Sequence, residues 1–187
     1  MKPYWKSPDG SCVIYLGDCM EFLPTLEQGS VNAVVSDPPY GMANDNNYLR
    51  FTSGPNGHGS PTKRTYAPTI GDDKDFDPLP WLKFDHVILW GANHFGARLP
   101  IGTTLVWIKR LDGGFGSFLS DAEIGWMKGG HGVYCHRDTS MYSSPENRQH
   151  PNEKPIGLMQ WCLERAGTCE GDTILDPFMG SGTTGVA

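Results

Sequence analysis

The sequence has little positive charge, no paired cysteines and no long apolar run, and each shortage narrows the range of functions. Lysine and arginine number 15 against 21 aspartate and glutamate residues, for a net charge of −6. Because nucleic-acid-binding proteins are more often basic, this net charge counts against nucleic-acid binding unless the basic residues form a local basic face. No apolar run approaches the roughly 20 residues of a membrane-spanning helix. The polar residues 1–10 do not read as a signal peptide.

The cysteines are five in number, include no CxxC pair and leave one residue over. This pattern favours the reduced thiols of a cytoplasmic protein over a disulfide framework or a zinc site. His131, Cys135 and His136 lie close together and are the alternative metal ligands. Since no second cluster completes a tetrahedral site, no metal site is predicted.

Apolar runs of strand length alternate with helical segments. Strands are predicted at 12–18, 31–36, 86–90, 104–109, 122–127 and 172–176. Helices are predicted from a cap at Asp18 to about Glu27, at 93–99 and at 155–166. Strands that first alternate with helices and then cluster predict one α/β sheet, mostly parallel, with an antiparallel strand at one edge. We expect a single domain over residues 1–187.

Two long segments, 41–80 and 128–149, lack a sustained apolar period and are rich in polar residues. Loops of this length in a compact domain are usually functional or disordered. Both carry basic and aromatic side chains, such as Lys63, Arg64 and Tyr66 in the first. They are predicted to be inserted loops that contact a ligand, and the alternative is a disordered surface insert.

A glycine-rich turn follows the last predicted strand. Gly180, Gly182 and Gly185 have the G-x-G-x-x-G spacing, which lets a ligand approach the backbone. A dinucleotide site also needs an acid about 20 residues further on, and only two residues follow Gly185. Taken alone, the turn predicts either a cofactor cradle or a tight connection between strand and helix.

The stretch "DPPY", Asp37 to Tyr40, ends the second predicted strand. The Asp37 carboxylate and the Pro38 carbonyl are two acceptors, the prolines stiffen the turn, and Tyr40 adds a flat ring. Together they are suited to a planar group that bears an NH2, such as adenine or cytosine. The alternative is a Pro-Pro loop that only ends a strand.

Four stretches together resemble one family. "DPPY" resembles the catalytic motif of the amino-directed DNA methyltransferases, which use S-adenosylmethionine. "DPFMGSGTT" (176–184) resembles their cofactor motif, "HPNEKP" (150–155) the segment that closes over the methionine part, and "GDCMEFL" (17–23) the acidic strand end near the adenine. Because the catalytic motif comes first, the order is that of the permuted, β-type members.

The resemblance implies a Rossmann-like, circularly permuted methyltransferase sheet of seven strands, the last antiparallel. It also implies a helix, a strand and a ribose-binding acid after the cofactor turn, so the chain is expected to be truncated at its C-terminus. The implied catalytic residues are Asp37, Pro38, Pro39 and Tyr40. The implied cofactor-binding residues are Asp18, Asn152, Lys154, Pro155, Asp176, Phe178, Gly180, Gly182, Thr183 and Thr184. For Lys154, a surface lysine before a helix is the alternative.

The activity implied is methyl transfer from S-adenosylmethionine to adenine N6 in double-stranded DNA, with the base flipped out of the duplex. Cytosine N4 is the alternative target, and a truncated domain that binds DNA without catalysis is the alternative function. Segments 41–80 and 128–149 are the implied DNA-recognition loops. A homodimer, a partner nuclease and a bacterial or phage-infected host are further expectations.

Overall fold

The computed structural model describes residues 2–42, 69–116, 120–140 and 153–187. Its strands are β1 (Trp5–Lys6), β2 (Val13–Ile14), β3 (Ala33–Ser36), β4 (His86–Trp90), β5 (Gly102–Ile108), β6 (Ala122–Arg137) and β7 (Ile174–Leu175). Its α-helices are α1 (Cys19–Phe22), α2 (Ala92–Phe95), α3 (Ile156–Ala166) and α4 (Thr183–Val186). Short 3-10 turns cover Leu23–Thr25, Leu79–Trp81, Gly96–Arg98 and Asp112–Gly114. The predicted strand at 86–90 is confirmed at both ends.

The central sheet has five strands in the order β5-β6-β4-β3-β7. Strand β3 pairs in parallel with β4 on one side and with β7 on the other. All four residues of β3 are buried, as parallel strands covered on both faces should be. The prediction of a mostly parallel α/β sheet is confirmed.

Strand β6 changes direction along its length and corrects two predictions. Its first part runs antiparallel to β4, with Leu89 opposite Trp126. This first part also pairs with β5 in antiparallel register, from Ile108↔Ala122 to Thr103↔Met127. The second part of β6 pairs with β5 in parallel register, from Thr104↔Val133 to Ile108↔Arg137. The antiparallel strand therefore lies inside the sheet, between β4 and β5, and its predicted place at the edge was wrong. Residues 128–137, predicted to be irregular, are strand.

The sheet is covered on both faces. Successive side chains of a strand point to opposite sides, so each strand contributes residues to both layers of the core. On one face, Val35 and Ile88 pack against Leu158 and Cys162 of α3. On the other face, Val34, Val87 and Leu89 belong to a cluster with Phe76, Trp81 and Phe95. Each fully buried side chain of this kind contributes roughly 1.5–3 kcal/mol. Residues 76–80, predicted as part of a long loop, thus belong in part to the core.

The N-terminal prediction of a core strand over 12–18 was wrong. Only Val13–Ile14 is strand, and it pairs antiparallel with β1 in a separate two-stranded sheet. Leu16 is 75% exposed, so this apolar run does not enter the core. The helix capped by Asp18 is also shorter than predicted. It becomes a 3-10 turn at Leu23–Thr25, with Pro24 in its first positions, and does not reach Glu27.

Among the described residues, no helix is both long enough and apolar enough to span a bilayer. Residues 43–68, the larger part of the first predicted recognition loop, and residues 141–149 of the second lie outside the described residues.

Candidate active site

The candidate site lies where β3 and β7 end side by side. The pairs Ala33↔Ile174 and Val34↔Leu175 set the two strands in register, so Asp37 and Asp176 follow at the same edge of the sheet. The Ser36 hydroxyl donates to Asp176 Oδ1 at 2.5 Å and ties the two strand ends together. The carboxyl ends of adjacent parallel strands are where ligands bind in open α/β sheets.

The turn that follows β3 is held by Asp72. Its Oδ1 accepts the backbone N–H groups of Tyr40, Gly41 and Met42 at 3.1, 3.0 and 3.3 Å. Asp72 is 6% exposed, so these bonds are shielded from water. The prolines cannot donate, and the buried carboxylate instead collects the next three amides. The position of the Tyr40 ring is thereby fixed by a residue 32 positions further along the chain.

The Asp37 carboxylate has both oxygens engaged. Oδ1 accepts from the Tyr40 hydroxyl, and Oδ2 accepts from Lys154 Nζ at 2.5 Å. Lys154 is 6% exposed, which contradicts the alternative of a surface lysine. The structure thus brings three residues of two sequence motifs together around one carboxylate.

Lys154 contacts a second carboxylate, that of Glu123 in β6. Its Nζ lies 3.1 Å from Glu123 Oε2, and Glu123 Oε1 accepts from Lys109 Nζ at 3.0 Å. Burial disfavours the charged ammonium, but the nearby carboxylates of Asp37 and Glu123 outweigh burial and raise the pKa of Lys154 well above its usual value. Burial opposes ionisation of Glu123 too, yet the two lysines lower its pKa.

The Tyr40 ring is held between polar and aromatic neighbours. It stacks on the His94 ring at a centroid distance of 4.7 Å and an angle of 12°. Gly91 adopts φ 76°, and a Cβ there would lie 1.9 Å from Tyr40 Cε1. Burial and the nearby Asp37 carboxylate raise the pKa of Tyr40 despite the opposing charge of Lys154, so the phenol stays a donor. Gly91 is therefore the residue that makes room for the ring.

Asp176 organises the glycine turn after β7. Its Oδ1 also accepts from the Phe178 amide at 3.1 Å, and its Oδ2 accepts from the Thr184 hydroxyl at 2.5 Å. Burial raises the pKa of Asp176 in spite of these donors. Because both oxygens already have partners, the carboxylate shapes the turn. Gly180 and Gly182 adopt φ 53° and 84°, which other residues rarely do.

A cavity of 490 Å³ opens between the two turns. Predicted residues that line it are Asp37, Pro39, Lys154, Asp176, Phe178, Gly180, Thr183 and Thr184. The N-terminal segment also lines it, through Tyr4, Ile14, Tyr15 and Leu16.

The other predicted site residues either do not line the cavity or lie outside the described residues. Pro38, Tyr40, Pro155 and Gly182 lie beside it in the sequence without being part of the lining. Asp18 is exposed and caps α1 through a bond to the Met20 amide. Asn152 lies outside the described residues.

Three residues of the site were missed by the sequence analysis: Asp72, His94 and Glu123. Each is a single polar residue in a segment without a motif. A buried partner for Asp37 or Lys154 could have been expected from charge alone, but the sequence does not indicate which residue that partner is. Among the described residues, no group of three His, Cys, Asp or Glu side chains could hold a metal ion. His136, one of the alternative ligands, stacks on Trp161.

The chain is similar to known DNA methyltransferases. The model of the N6/N4 methyltransferase family, described as DNA methylase, matches residues 104–187. The Type II methyltransferase M2.MboI of Moraxella bovis is 23% identical over 239 aligned residues, which cover 100% of this chain and 82% of that protein. The Type II methyltransferase M2.DpnII of Streptococcus pneumoniae is 58% identical over 41 residues, covering 20% of this chain and 14% of that protein.

Residues 104–187 of the chain therefore match the DNA methylase family. Together with the similarity to Type II methyltransferases, this match supports a DNA methyltransferase, an enzyme that acts on DNA. Among solved structures, TTHA0409 of Thermus thermophilus, named a putative DNA modification methylase, aligns with a TM-score of 0.52 at 17% identity. The alignment covers 90% of this chain and 80% of that one. That similarity supports the methyltransferase fold.

Proposed function

We propose that this DNA methyltransferase methylates the exocyclic N6 of adenine, with Asp37 and Pro38 binding the target amine and Tyr40 stacking on the base. The observation that carries the proposal is the position of the Asp37 carboxylate, which lines the 490 Å³ cavity opposite the glycine turn. An acceptor for an amine and a cradle for a cofactor thus share one space. Cytosine N4, which offers the same NH2 group, is the second candidate.

S-adenosylmethionine is the cofactor of this methyltransferase, and the cavity fits it. The volume falls within the roughly 300–1,000 Å³ of small-molecule sites. A Cβ at Gly180 would meet only the Phe178 carbonyl at 4.0 Å, so backbone is open to a ligand there. We assign Phe178, Gly180, Gly182, Thr183 and Thr184 to one side of the cofactor. Lys154 and Pro155 are assigned to the side toward α3, and Asp18 to the side toward the adenine. When bound, the cofactor supplies an electrophilic methyl group.

The protein's own residues hold and orient the amine. An exocyclic amine is a weak nucleophile because its lone pair is delocalised into the ring. Acceptors on its two hydrogens, the Asp37 carboxylate and the Pro38 carbonyl, favour the pyramidal and more reactive form. Tyr40 supplies a ring for the base to stack on, and Pro39 stiffens the turn. Most of the acceleration then comes from positioning, which can contribute about 7–11 kcal/mol.

No cysteine is needed as a covalent nucleophile. Cys162 is fully buried in the core, and burial raises the pKa of its thiol to about 12. The Trp90 side chain and the charge of Lys154 offset that effect only in part. Direct transfer to the amine, without a protein-bound intermediate, is the mechanism that the site supports.

We further propose the permuted arrangement of the family, supported by the parallel pairing of β3 with β7, which lies far later in the chain. The parts of segments 41–80 and 128–149 that belong neither to the core nor to β6 are proposed to contact double-stranded DNA. The relatives are named Type II methyltransferases of bacteria, which supports a bacterial cytoplasmic enzyme of a restriction-modification system. A homodimer and a partner nuclease complete the proposal.

Transfer of a labelled methyl group to unmethylated DNA tests the assignment of Asp37. The wild type is expected to label DNA, and Asp37→Ala is expected to lose at least about 100-fold in kcat/KM. Asp112→Asn is the matched control, because this carboxylate pairs with Arg137 and is 86% exposed. Full activity in Asp37→Ala would overturn the assignment. Folded wild type that transfers no methyl group would favour a domain that only binds DNA.

A further inference from the structure

The Asp37 carboxylate already has a charged partner where the amine must bind. Lys154 Nζ donates to Oδ2 at 2.5 Å, and the Tyr40 hydroxyl occupies Oδ1. Charge-assisted hydrogen bonds are roughly twice as strong as neutral ones. A neutral amine that approaches Oδ2 therefore competes poorly with the ammonium group. The amine can take the place of the ammonium group on Oδ2 only if Lys154 withdraws.

Withdrawal needs a second place for the ammonium group, and Glu123 provides one. Its Oε2 lies 3.1 Å from Lys154 Nζ, and this buried oxygen has no other polar partner among the described residues. The other oxygen, Oε1, is held by Lys109 at 3.0 Å. Glu123 is thus fixed on one side by Lys109, and on the other side it offers an acceptor that only Lys154 approaches among the described residues.

We propose that Glu123 is a positioning residue that takes the Lys154 ammonium group from Asp37 when the target amine arrives. The inference rests on the proposed function, since it concerns how Asp37 becomes available to the base. Glu123 acts through Lys154 and does not touch the base. In the free enzyme the ammonium group holds Asp37 in place, and in the complex it turns toward Glu123.

Charge explains why a carboxylate is needed at this position. Lys154 is buried and stays ionised, because the surrounding negative groups raise its pKa. A buried ammonium group that left Asp37 without a new counter-ion would incur a large desolvation penalty. Moving between two carboxylates keeps the ion pair throughout. A neutral residue in place of Glu123 would hold Lys154 on Asp37.

The test is Glu123→Gln, which keeps the size of the side chain and removes its charge. We expect kcat for DNA methylation to fall at least tenfold. The calorimetric Kd for S-adenosylmethionine should change less than twofold, because binding of the cofactor does not depend on Lys154 leaving Asp37. Glu123→Asp, which keeps the charge, should recover most of the kcat. Asp112→Asn serves as the control for removing one carboxylate from an ion pair.

A double-mutant cycle separates this role from simple support of the fold. In a Lys154→Met background there is no ammonium group to move, so Glu123→Gln should change kcat less than twofold. An equal loss in both backgrounds, or no loss in either, would overturn the proposal; so would loss of kcat and cofactor affinity together. If the wild type methylates DNA and Asp37→Ala does not, such a result refutes the role of Glu123 alone. An inactive wild type would refute both.

Discussion

Replacement of Gly91 by alanine tests whether the position of the Tyr40 ring controls catalysis. The new Cβ would lie 1.9 Å from Cε1, 2.4 Å from Cζ and 2.6 Å from Cδ1 of the ring. Ordinary contacts begin near 3.4 Å, so the ring must move by about 1.5 Å. It cannot rotate away freely, because its hydroxyl is bound to Asp37 and its face stacks on His94.

Two costs add at this position, one from the backbone and one from the ring. Gly91 has φ 76°, where an L-residue costs roughly 1–2 kcal/mol. Forcing a side chain into a packed space costs roughly a further 1–3 kcal/mol. We therefore expect Gly91→Ala to lower the free energy of unfolding by about 2–5 kcal/mol. Because a 1 Å misplacement can cost about 100-fold in rate, kcat/KM should fall by at least that factor.

Gly29→Ala is the matched control, because Gly29 has φ 80° and a Cβ there would meet nothing within 4 Å. It carries the backbone cost without the clash. Urea unfolding of both variants, with methylation assays well below their transitions, separates the two effects. Gly29→Ala should lose only about 1–2 kcal/mol and keep its activity. Equal stability and activity in the two variants would refute the view that Gly91 positions Tyr40.

Three further outcomes are expected. Asp72→Ala should lose about 2–4 kcal/mol of unfolding free energy in urea, since three amides lose a buried acceptor; a loss below about 1 kcal/mol would contradict this. The pKa of Glu123 is lowered in the folded protein, so the ionised carboxylate stabilises the fold, and this contribution is lost as the carboxylate becomes protonated at low pH. Between about pH 5 and 3 the wild type should therefore lose more stability than Glu123→Gln, and parallel curves would refute this. Native alkylation followed by mass spectrometry should label the exposed Cys135 and Cys169 but not Cys162, and labelling of Cys162 would contradict its burial.

The elements that the sequence predicted well are those whose side chains carry a local signal. His86–Trp90 is a continuous apolar run and forms a strand with the predicted ends. The helix at 156–166 has apolar residues at helical spacing and ends at Gly167, which adopts φ 73°. The turn after β3 was predicted because Pro38 and Pro39 cannot continue a ladder. In each case a few residues that are neighbours in the sequence are enough to predict the element.

The features that could not be predicted depend on distant pairing. Residues 128–137 have no apolar period, and they form strand because β5 offers a free edge to the returning chain. The same pairing carries Glu123 to Lys154, 31 residues later in the sequence. Asp72 likewise reaches the turn at Tyr40 from the far end of a long segment. Sequence patterns predict faces and turns, but such contacts follow only from the folded sheet.

The most direct test of the central claim is the chemical identity of the methylated product. Unmethylated DNA would be incubated with S-adenosylmethionine and either the wild type or Asp37→Ala, digested to nucleosides and analysed by mass spectrometry. The account predicts N6-methyladenine with the wild type and none with the variant. N4-methylcytosine would move the target to cytosine while keeping the site. The same amount of methylated base from both proteins would contradict the claim that Asp37 binds the reacting amine.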